Sequence, residues 1–170
     1  MIQAHLISEK ITSSSQDAFT LYEKSRFGEK AKGKIEYSML ETLFLISENK
    51  MEIHAKNKKI TEEQLLKKIK SKDKKADVKF SVFSDLRKKG YIVKTALKFG
   101  AEFRVYEKGV SPDEDNARWI LYAVHESDKM NWYDFAAKNR VAHSTKKNLL
   151  IAIVDDELDV TYYEIAWIRT

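Results

Sequence analysis

The stretch Leu149-Leu150-Ile151-Ala152-Ile153-Val154 decides the fold, because an unbroken apolar run rich in branched side chains is typical of a strand buried on both faces. An acidic turn at residues 155–159 follows, and residues 160–168 are predicted to return as an antiparallel partner. Upstream, Trp119-Ile120-Leu121-Tyr122-Ala123-Val124 is a second continuous apolar run. These segments predict the centre of a β-sheet in the C-terminal half of the chain.

The segments around these runs predict the rest of that half. Residues 91–93 and 103–106 have the composition of strands, residues 132–141 fit a helix, and residues 78–89 fit a helix that ends at Gly90. Together they indicate a mixed sheet of four or five strands flanked by helices. The predicted fold class is therefore α+β.

The N-terminal half is predicted to be a smaller α/β domain. We expect strands at residues 2–7, 18–22 and 51–55 and a basic loop at 28–33. One helix is expected at 37–48, with Ser38 as its N-cap, and another begins at Thr61, where Thr61-Glu62-Glu63-Gln64 is a capping box. We divide the chain into residues 1–75, the N-terminal α/β domain, and residues 76–170, the C-terminal domain.

Composition excludes several classes of protein. The chain has 170 residues, 34% of them charged, a formal net charge of +5 and no Cys, so disulfides, thiol nucleophiles and Cys-bound zinc are excluded. No apolar run is long enough to cross a membrane, and no signal peptide is evident, so we expect a cytoplasmic protein without a membrane partner. The motifs GxGxxG, GxxxxGK[ST], HExxH and GxSxG do not occur. The four histidines are scattered singly, so neither a metal site nor a cofactor is expected.

A lysine-rich segment allows two interpretations. Residues 56–75 hold nine lysines and only three acidic residues. They either form a patch that binds a polyanion or are the solvated face of a helix, and the lack of interleaved aromatic residues favours the solvated face.

Polar residues within otherwise apolar segments are the candidates for chemistry. Arg104 and Tyr106 lie in one predicted strand, and residues 140–147 form a basic stretch directly before the run that begins at Leu149. Side chains at strand ends often line a cleft. From the residues alone, an amphipathic strand and a solvated turn are the favoured explanation, and a functional cleft is the alternative.

Two long stretches resemble a known family. Residues 90–106, GYIVKTALKFGAEFRVY, and residues 140–155, RVAHSTKKNLLIAIVD, closely resemble the archaeal tRNA-splicing (tRNA-intron) endonucleases, and so does the helix YSMLETLFLI at 37–46. The resemblance implies a C-terminal nuclease domain and cleavage of precursor tRNA at bulge-helix-bulge exon-intron junctions. It also implies a metal-independent reaction, in which the substrate 2′-hydroxyl attacks the neighbouring phosphate and leaves 2′,3′-cyclic phosphate and 5′-hydroxyl ends.

The resemblance assigns catalytic roles to three positions. The family tyrosine falls on Tyr106, as the base for the 2′-hydroxyl, and the family lysine falls on Lys147, which stabilises the transition state. The family histidine, the general acid, falls on Asn116. An amide donates hydrogen bonds but is not an acid near neutral pH.

Three explanations of Asn116 remain open. The chain is a non-catalytic structural partner of a catalytic paralogue, or Asn116 binds RNA while water or another group supplies the proton, or the asparagine is an introduced substitution. His125 and His143 are the other histidines in this domain. We expect that His125, far along the strand from Asn116, does not replace the acid.

The resemblance also implies RNA-binding and assembly residues. Arg140 and Trp167 match the pair that holds a bulged base, and Asp155, Asp156, Glu157 and Asp159 match a loop that inserts into the opposing subunit, with Lys94 and Lys98 as candidate receivers. Family chains of this length form tetramers. The expected partners are therefore precursor tRNA and further subunits, in a homotetramer or a heterotetramer with a paralogue.

Overall fold

The computed structural model describes residues 1–112 and 117–170. The chain divides into two compact units, Met1–Ala76 and Asp77–Thr170.

The N-terminal unit is built on a six-stranded sheet. Its strands are β1 (Ile2–Ile7), β2 (Lys10–Ser13), β3 (Glu29–Ala31), β4 (Lys34–Tyr37), β5 (Met51–Ala55) and β6 (Lys58–Ile60). They lie in the order β3-β4-β2-β1-β5-β6. Among these strands only β1 and β5 pair in parallel, and the other pairs are antiparallel. The core side chains Ala4, Ile11, Ile35 and Ile53 are all at most 1% exposed.

Side-chain caps start the helices of this unit. They are α1 (Gln16–Ser25), α2 (Met39–Ser47) and α3 (Glu62–Lys72). Ser38 and Thr61 each accept a hydrogen bond from the third residue of their helix, whose side chain binds the cap N–H in return, so both predicted caps are confirmed. Ser15 caps α1 by accepting from the Ala18 N–H.

Two predictions for this unit were wrong. Residues 18–22 are not a strand but lie within α1, because the cap at Ser15 starts a helix that buries Ala18 and Tyr22. The segment 28–33 is not only a loop, since β3 and β4 form a hairpin there. Gly28 has φ +78° and a Cβ there would approach the Ile35 side chain to 2.4 Å, so the close packing of this hairpin requires glycine.

The lysine-rich segment is partly neutralised within the unit. The Glu9 carboxylate binds the ammonium groups of both Lys68 and Lys72, and the Lys59 ammonium binds Glu52. These contacts support the interpretation of a solvated helix face, since several of the positive charges already have an acidic partner.

The C-terminal unit contains the predicted mixed sheet. Its strands are β7 (Ile92–Thr95), β8 (Phe103–Tyr106), β9 (Trp119–His125), β10 (Asn148–Val154) and β11 (Val160–Ile165), in the order β11-β10-β9-β8-β7. The helices are α4 (Ala76–Lys88) and α5 (Trp132–Ser144), with a short 3₁₀ helix at Leu97–Phe99. The strand and helix predictions for this half are confirmed, and so is the α+β class.

The parallel pair β9 and β10 forms the buried centre of this sheet. Helix α5 connects them, as a crossover between parallel strands requires. One face of the sheet packs against α5 through Ile120, Tyr122, Leu149 and Ile151. On the opposite face, Phe103 packs against Phe83 of α4, with ring centroids 5.8 Å apart.

Candidate functional site

Three strands meet at one end of the C-terminal sheet, which we call the Tyr106 end. Strand β8 finishes there, whereas β9 and β10 begin there: Val105 pairs with Trp119, and Trp119 pairs with Asn148. The ends of antiparallel β8 and parallel β10 are thus brought to the two sides of β9. Tyr106 and Lys147, which are far apart in sequence, consequently lie at the same end of the sheet.

Tyr106 is almost completely covered at this end. It is 4% exposed and packs with Ile92, Ala117 and Val110. Ala117 directly follows Asn116, which stands at the position expected for the catalytic acid. Asn116 itself lies outside the described residues. The Tyr106 ring is thus held in place by apolar packing.

Lys147 is held in a fixed conformation just before β10. Its backbone N–H donates to the Ala142 carbonyl over 2.9 Å and its ammonium donates to the Thr145 carbonyl over 3.1 Å. Lys146, immediately before it, has a left-handed backbone with φ 59° and is exposed. The chain therefore reverses direction after α5, so Lys146 is exposed to solvent whereas Lys147 is partly buried.

The environment of Lys147 is partly buried and cationic. Burial lowers the pKa of the Lys147 ammonium, and the positive charges of Arg104 and Lys98 lower it further. Arg104 and Tyr106 are two residues apart in β8 and share one face of the sheet. Sequence reasoning singled out Arg104 but did not connect it with Lys147. The two-residue spacing of Arg104 and Tyr106 in a strand already indicates a shared face. The proximity of Arg104 to Lys147 depends on the strand order, which the sequence does not reveal.

Positively charged side chains are concentrated at the Tyr106 end. The Arg104 Nε–H donates to the Thr95 carbonyl over 3.0 Å, which fixes the guanidinium. Opposite Arg104 in the ladder lies Lys94. Lys94 is only 7% exposed, which does not fit its predicted role as a surface receiver for the acidic loop. These positive charges would attract an anion such as a phosphate to the Tyr106 end.

The predicted base-binding pair lies beside this end. Arg140 is exposed on α5, one turn before His143, and Trp167 is 56% exposed beyond β11. The imidazole of His143 contacts the indole of Trp167 edge-on, with centroids 4.0 Å apart. Sequence reasoning did not pair these rings. A flat surface for stacking a base is present at Trp167, and His143 is its neighbour.

The opposite end of the sheet, which we call the acidic end, carries the predicted assembly loop. Here β10 finishes, and the Asp155 carboxylate accepts the backbone N–H groups of Glu157 and Asp159 over 2.9 and 3.0 Å. Asp156, Glu157 and Asp159 are exposed, as is the apolar tip Leu158, which is 52% exposed. Asp155 thus shapes the loop, while the other acids face outward.

His125 lies at the acidic end, where β9 finishes. Its Nε2 binds Asp156 over 2.9 Å, and its Nδ1 contacts the Ser127 hydroxyl over 2.7 Å. Strand β9 separates it from the Tyr106 end by about 20 Å, given the rise of a strand. The position of His125 agrees with the expectation that it does not replace the acid.

Neither a metal site nor a membrane span emerges from the described ranges 1–112 and 117–170. No group of three or more His, Asp or Glu side chains there is placed to hold a metal ion. No helix in the same ranges combines the length and apolar composition needed to cross a lipid bilayer.

Comparison with protein families agrees with this architecture. Residues 2–66 match the family model described as tRNA intron endonuclease, N-terminal domain, and residues 76–162 match tRNA intron endonuclease, catalytic C-terminal domain. The chain therefore belongs to the tRNA intron endonuclease family, and the resemblance inferred from its sequence is confirmed.

Individual relatives give the same assignment. The chain is 38% identical over 170 residues to the tRNA-splicing endonuclease of Thermococcus gammatolerans and 37% identical over 170 residues to that of Thermococcus kodakarensis, each alignment covering 99% of both chains. It is also 38% identical over 138 residues to the tRNA-splicing endonuclease of Nanoarchaeum equitans, covering 78% of this chain and 88% of the relative.

Proposed function

We propose that this chain is a cytoplasmic subunit of a tRNA-splicing endonuclease that cleaves precursor tRNA at bulge-helix-bulge exon-intron junctions. The observation that carries the proposal is the placement of Tyr106 and Lys147 at the same end of the sheet. Arg104 and Lys98 add positive charge around Lys147. RNA cleavage without a metal needs a base for the 2′-hydroxyl, an acid for the leaving oxygen and positive charge near the phosphate; Tyr106 is proposed as the base and Lys147 as the positive charge.

The proposed reaction is an internal transesterification. Tyr106, acting in its deprotonated form, takes the proton of the substrate 2′-hydroxyl, and the 2′-oxygen attacks the adjacent phosphorus. The bond from phosphorus to the 5′-oxygen then breaks, which leaves a 2′,3′-cyclic phosphate, while the departing oxygen takes up a proton from water and becomes a 5′-hydroxyl. Lys147 stabilises the negative charge that builds up on the phosphate oxygens.

Asn116 stands where the proton donor is expected. Its amide can hydrogen-bond the leaving oxygen but does not supply a proton near neutral pH. A missing general acid typically costs about 10²- to 10⁴-fold in rate. The second candidate function is therefore a non-catalytic assembly subunit of the same endonuclease, which Asn116 and the burial of Tyr106 favour.

The remaining roles follow from the surfaces beside the site. Arg140 and Trp167 are proposed to hold a bulged base, because a guanidinium and an indole both offer flat faces for stacking. The exposed acids Asp156, Glu157 and Asp159 are proposed to contact another subunit, and Asp155 contributes by holding that loop in shape. The proposed assembly is a tetramer, either of this chain alone or with a paralogue.

Cleavage of a bulge-helix-bulge RNA by the purified chain, in the presence of a chelator, tests the catalytic proposal. We expect slow cleavage by the unmodified chain and a gain of about 10²- to 10⁴-fold in the Asn116→His variant. Adding Tyr106→Phe should remove that gain; phenylalanine is the matched change because the buried ring is kept. The product ends should be 2′,3′-cyclic phosphate and 5′-hydroxyl.

Two results would decide between the candidate functions. Fast cleavage by the unmodified chain that disappears in Tyr106→Phe would exclude the assembly subunit. Absence of cleavage in Asn116→His would exclude independent catalysis and favour the assembly role.

Reversal of charge in the loop tests the proposed assembly. The triple change Asp156→Lys, Glu157→Lys and Asp159→Lys should shift the species seen by light scattering towards smaller masses. Asp155 is left unchanged so that the loop keeps its shape. A tetramer of undiminished mass in this variant would contradict the assembly role of the loop.

A further inference from the structure

A polar network covers the back of the Tyr106 end. Side chains alternate between the two faces of a strand, so Glu107 and Asn148 point away from the face that carries Tyr106 and Lys147. Glu164 of β11 pairs with Leu150 and lies on the same back face as Asn148. None of these back-face residues was singled out by the motifs or by the proposed chemistry.

Glu164 and Arg118 are the centre of this network. The Asn148 amide donates to Glu164 Oε1 over 2.7 Å, and Arg118 Nη2 lies 3.7 Å from the same oxygen. The other guanidinium nitrogen of Arg118 forms a close ion pair with Glu107. The hydrogen bond from Asn148, the neighbouring Trp119 indole and the charge of Arg118 together lower the pKa of Glu164, so the carboxylate is charged near neutral pH.

The backbone of Arg118 joins the same strands. Its N–H donates to the Val105 carbonyl over 3.0 Å, and its carbonyl accepts from the Asn148 N–H over 3.0 Å. The guanidinium also lies over the Trp119 ring, 4.7 Å from the centroid. Arg118 is thereby fastened to β8 and β10 by its backbone and to Glu107 and Glu164 by its side chain.

Three residues of the network are close in sequence to positions of the proposed site. Glu107 directly follows Tyr106, Asn148 directly follows Lys147, and Arg118 lies two residues after Asn116. We propose that Arg118 and Glu164 are positioning residues, which hold the segments carrying Tyr106 and Lys147 in register from the back of the sheet. The inference rests on the proposed function, since it assigns these residues to the same reaction.

The position of the Lys147 ammonium is the readout that does not depend on activity. Burial beside Arg104 and Lys98 lowers its pKa, so an ammonium released towards solvent should regain a higher pKa. Removal of the Glu164 charge would by itself act in the opposite direction, because a nearby carboxylate favours the charged ammonium. A rise of the Lys147 pKa in Glu164→Ala therefore reports displacement and not charge.

NMR titration of lysine side chains labelled with ¹³C measures this pKa in the intact chain. We expect the pKa of Lys147 to rise in Glu164→Ala and to stay unchanged in the matched control Glu52→Ala, which removes an exposed carboxylate paired with Lys59 in the N-terminal unit. If Glu164→Ala does not fold, Asn148→Ala, which removes the hydrogen bond to Glu164 without a change of charge, is measured instead. An unchanged or lowered pKa in the folded variant would overturn the proposal.

Kinetics separates this inference from the proposed function. In the Asn116→His background, Glu164→Ala should lower kcat about 10-fold with a smaller change in KM, since misplacement acts on the reacting geometry. Arg118→Ala should act through the same network, so the double variant should lose less than the product of the two single losses. Independent, multiplicative losses would contradict a shared positioning role. If Asn116→His cleaves no RNA, the proposed function fails, and the Lys147 titration still decides the positioning role.

Discussion

The Tyr106 end and the acidic end of the five-stranded sheet share strands β9 and β10, yet they differ in charge and in how they are held. At the Tyr106 end, Arg118 binds partners on β8, β10 and β11. At the acidic end, the Asp155 carboxylate binds backbone N–H groups of its own loop. The first end depends on strands that are distant in sequence, and the second forms locally. The net charge of +5 conceals this division.

The largest expected effect separates two adjacent lysines at the Tyr106 end. In the Asn116→His background, Lys147→Ala should lower the rate of RNA cleavage by about 10²- to 10³-fold, because a fixed positive charge next to the transition state is lost. Lys146→Ala is the matched control, because it removes an equal charge from an exposed side chain. Equal losses in both variants, measured in single-turnover cleavage, would show that only the total charge matters.

A smaller effect is expected from the exposed tryptophans. Trp167→Ala should weaken binding of a bulge-helix-bulge RNA by about 1 to 3 kcal/mol, since one stacked base is lost. Trp132, which is 84% exposed at the start of α5 near the acidic end, provides the control. Fluorescence anisotropy with labelled RNA measures both. A comparable loss in Trp132→Ala would place the RNA elsewhere.

The smallest effect tests the local construction of the acidic end. Asp155→Ala should lower the free energy of unfolding by about 1 kcal/mol or more, because two backbone N–H groups lose their acceptor. Asp156→Ala should cost less, since its contact with His125 is at the surface. Urea denaturation followed by circular dichroism compares them. Asp156→Ala as the more damaging change would contradict the role given to Asp155.

The sequence predicted the buried parts of the fold best. The runs at 119–124 and 149–154 became β9 and β10, because a strand covered on both faces needs apolar residues at every position. Strands β2, β3, β4 and β6 were not predicted, since they are three or four residues long and carry charged residues. Such strands depend on pairing with neighbours and leave little periodicity in the sequence.

The candidate site was predictable only in part. Tyr106 and Lys147 were assigned through family resemblance, and nothing local in their sequence shows that they lie at the same end of the sheet. Their placement depends on the strand order and on the register between β8, β9 and β10. The back-face residues Arg118 and Glu164 leave no sequence signal at all, because charged residues near strand ends are ordinarily solvated.

The crossover from β9 through α5 to β10 has a consequence for folding. Pairing of Trp119 with Asn148 closes a loop that contains the whole of α5. The conformational entropy lost on closing this loop opposes folding before the stabilising contacts between the strands have formed. The Tyr106 end is therefore expected to be completed late in folding, after the β7-β8 hairpin. Hydrogen exchange should then report that the amide of Asn148 becomes protected after those of β7 and β8.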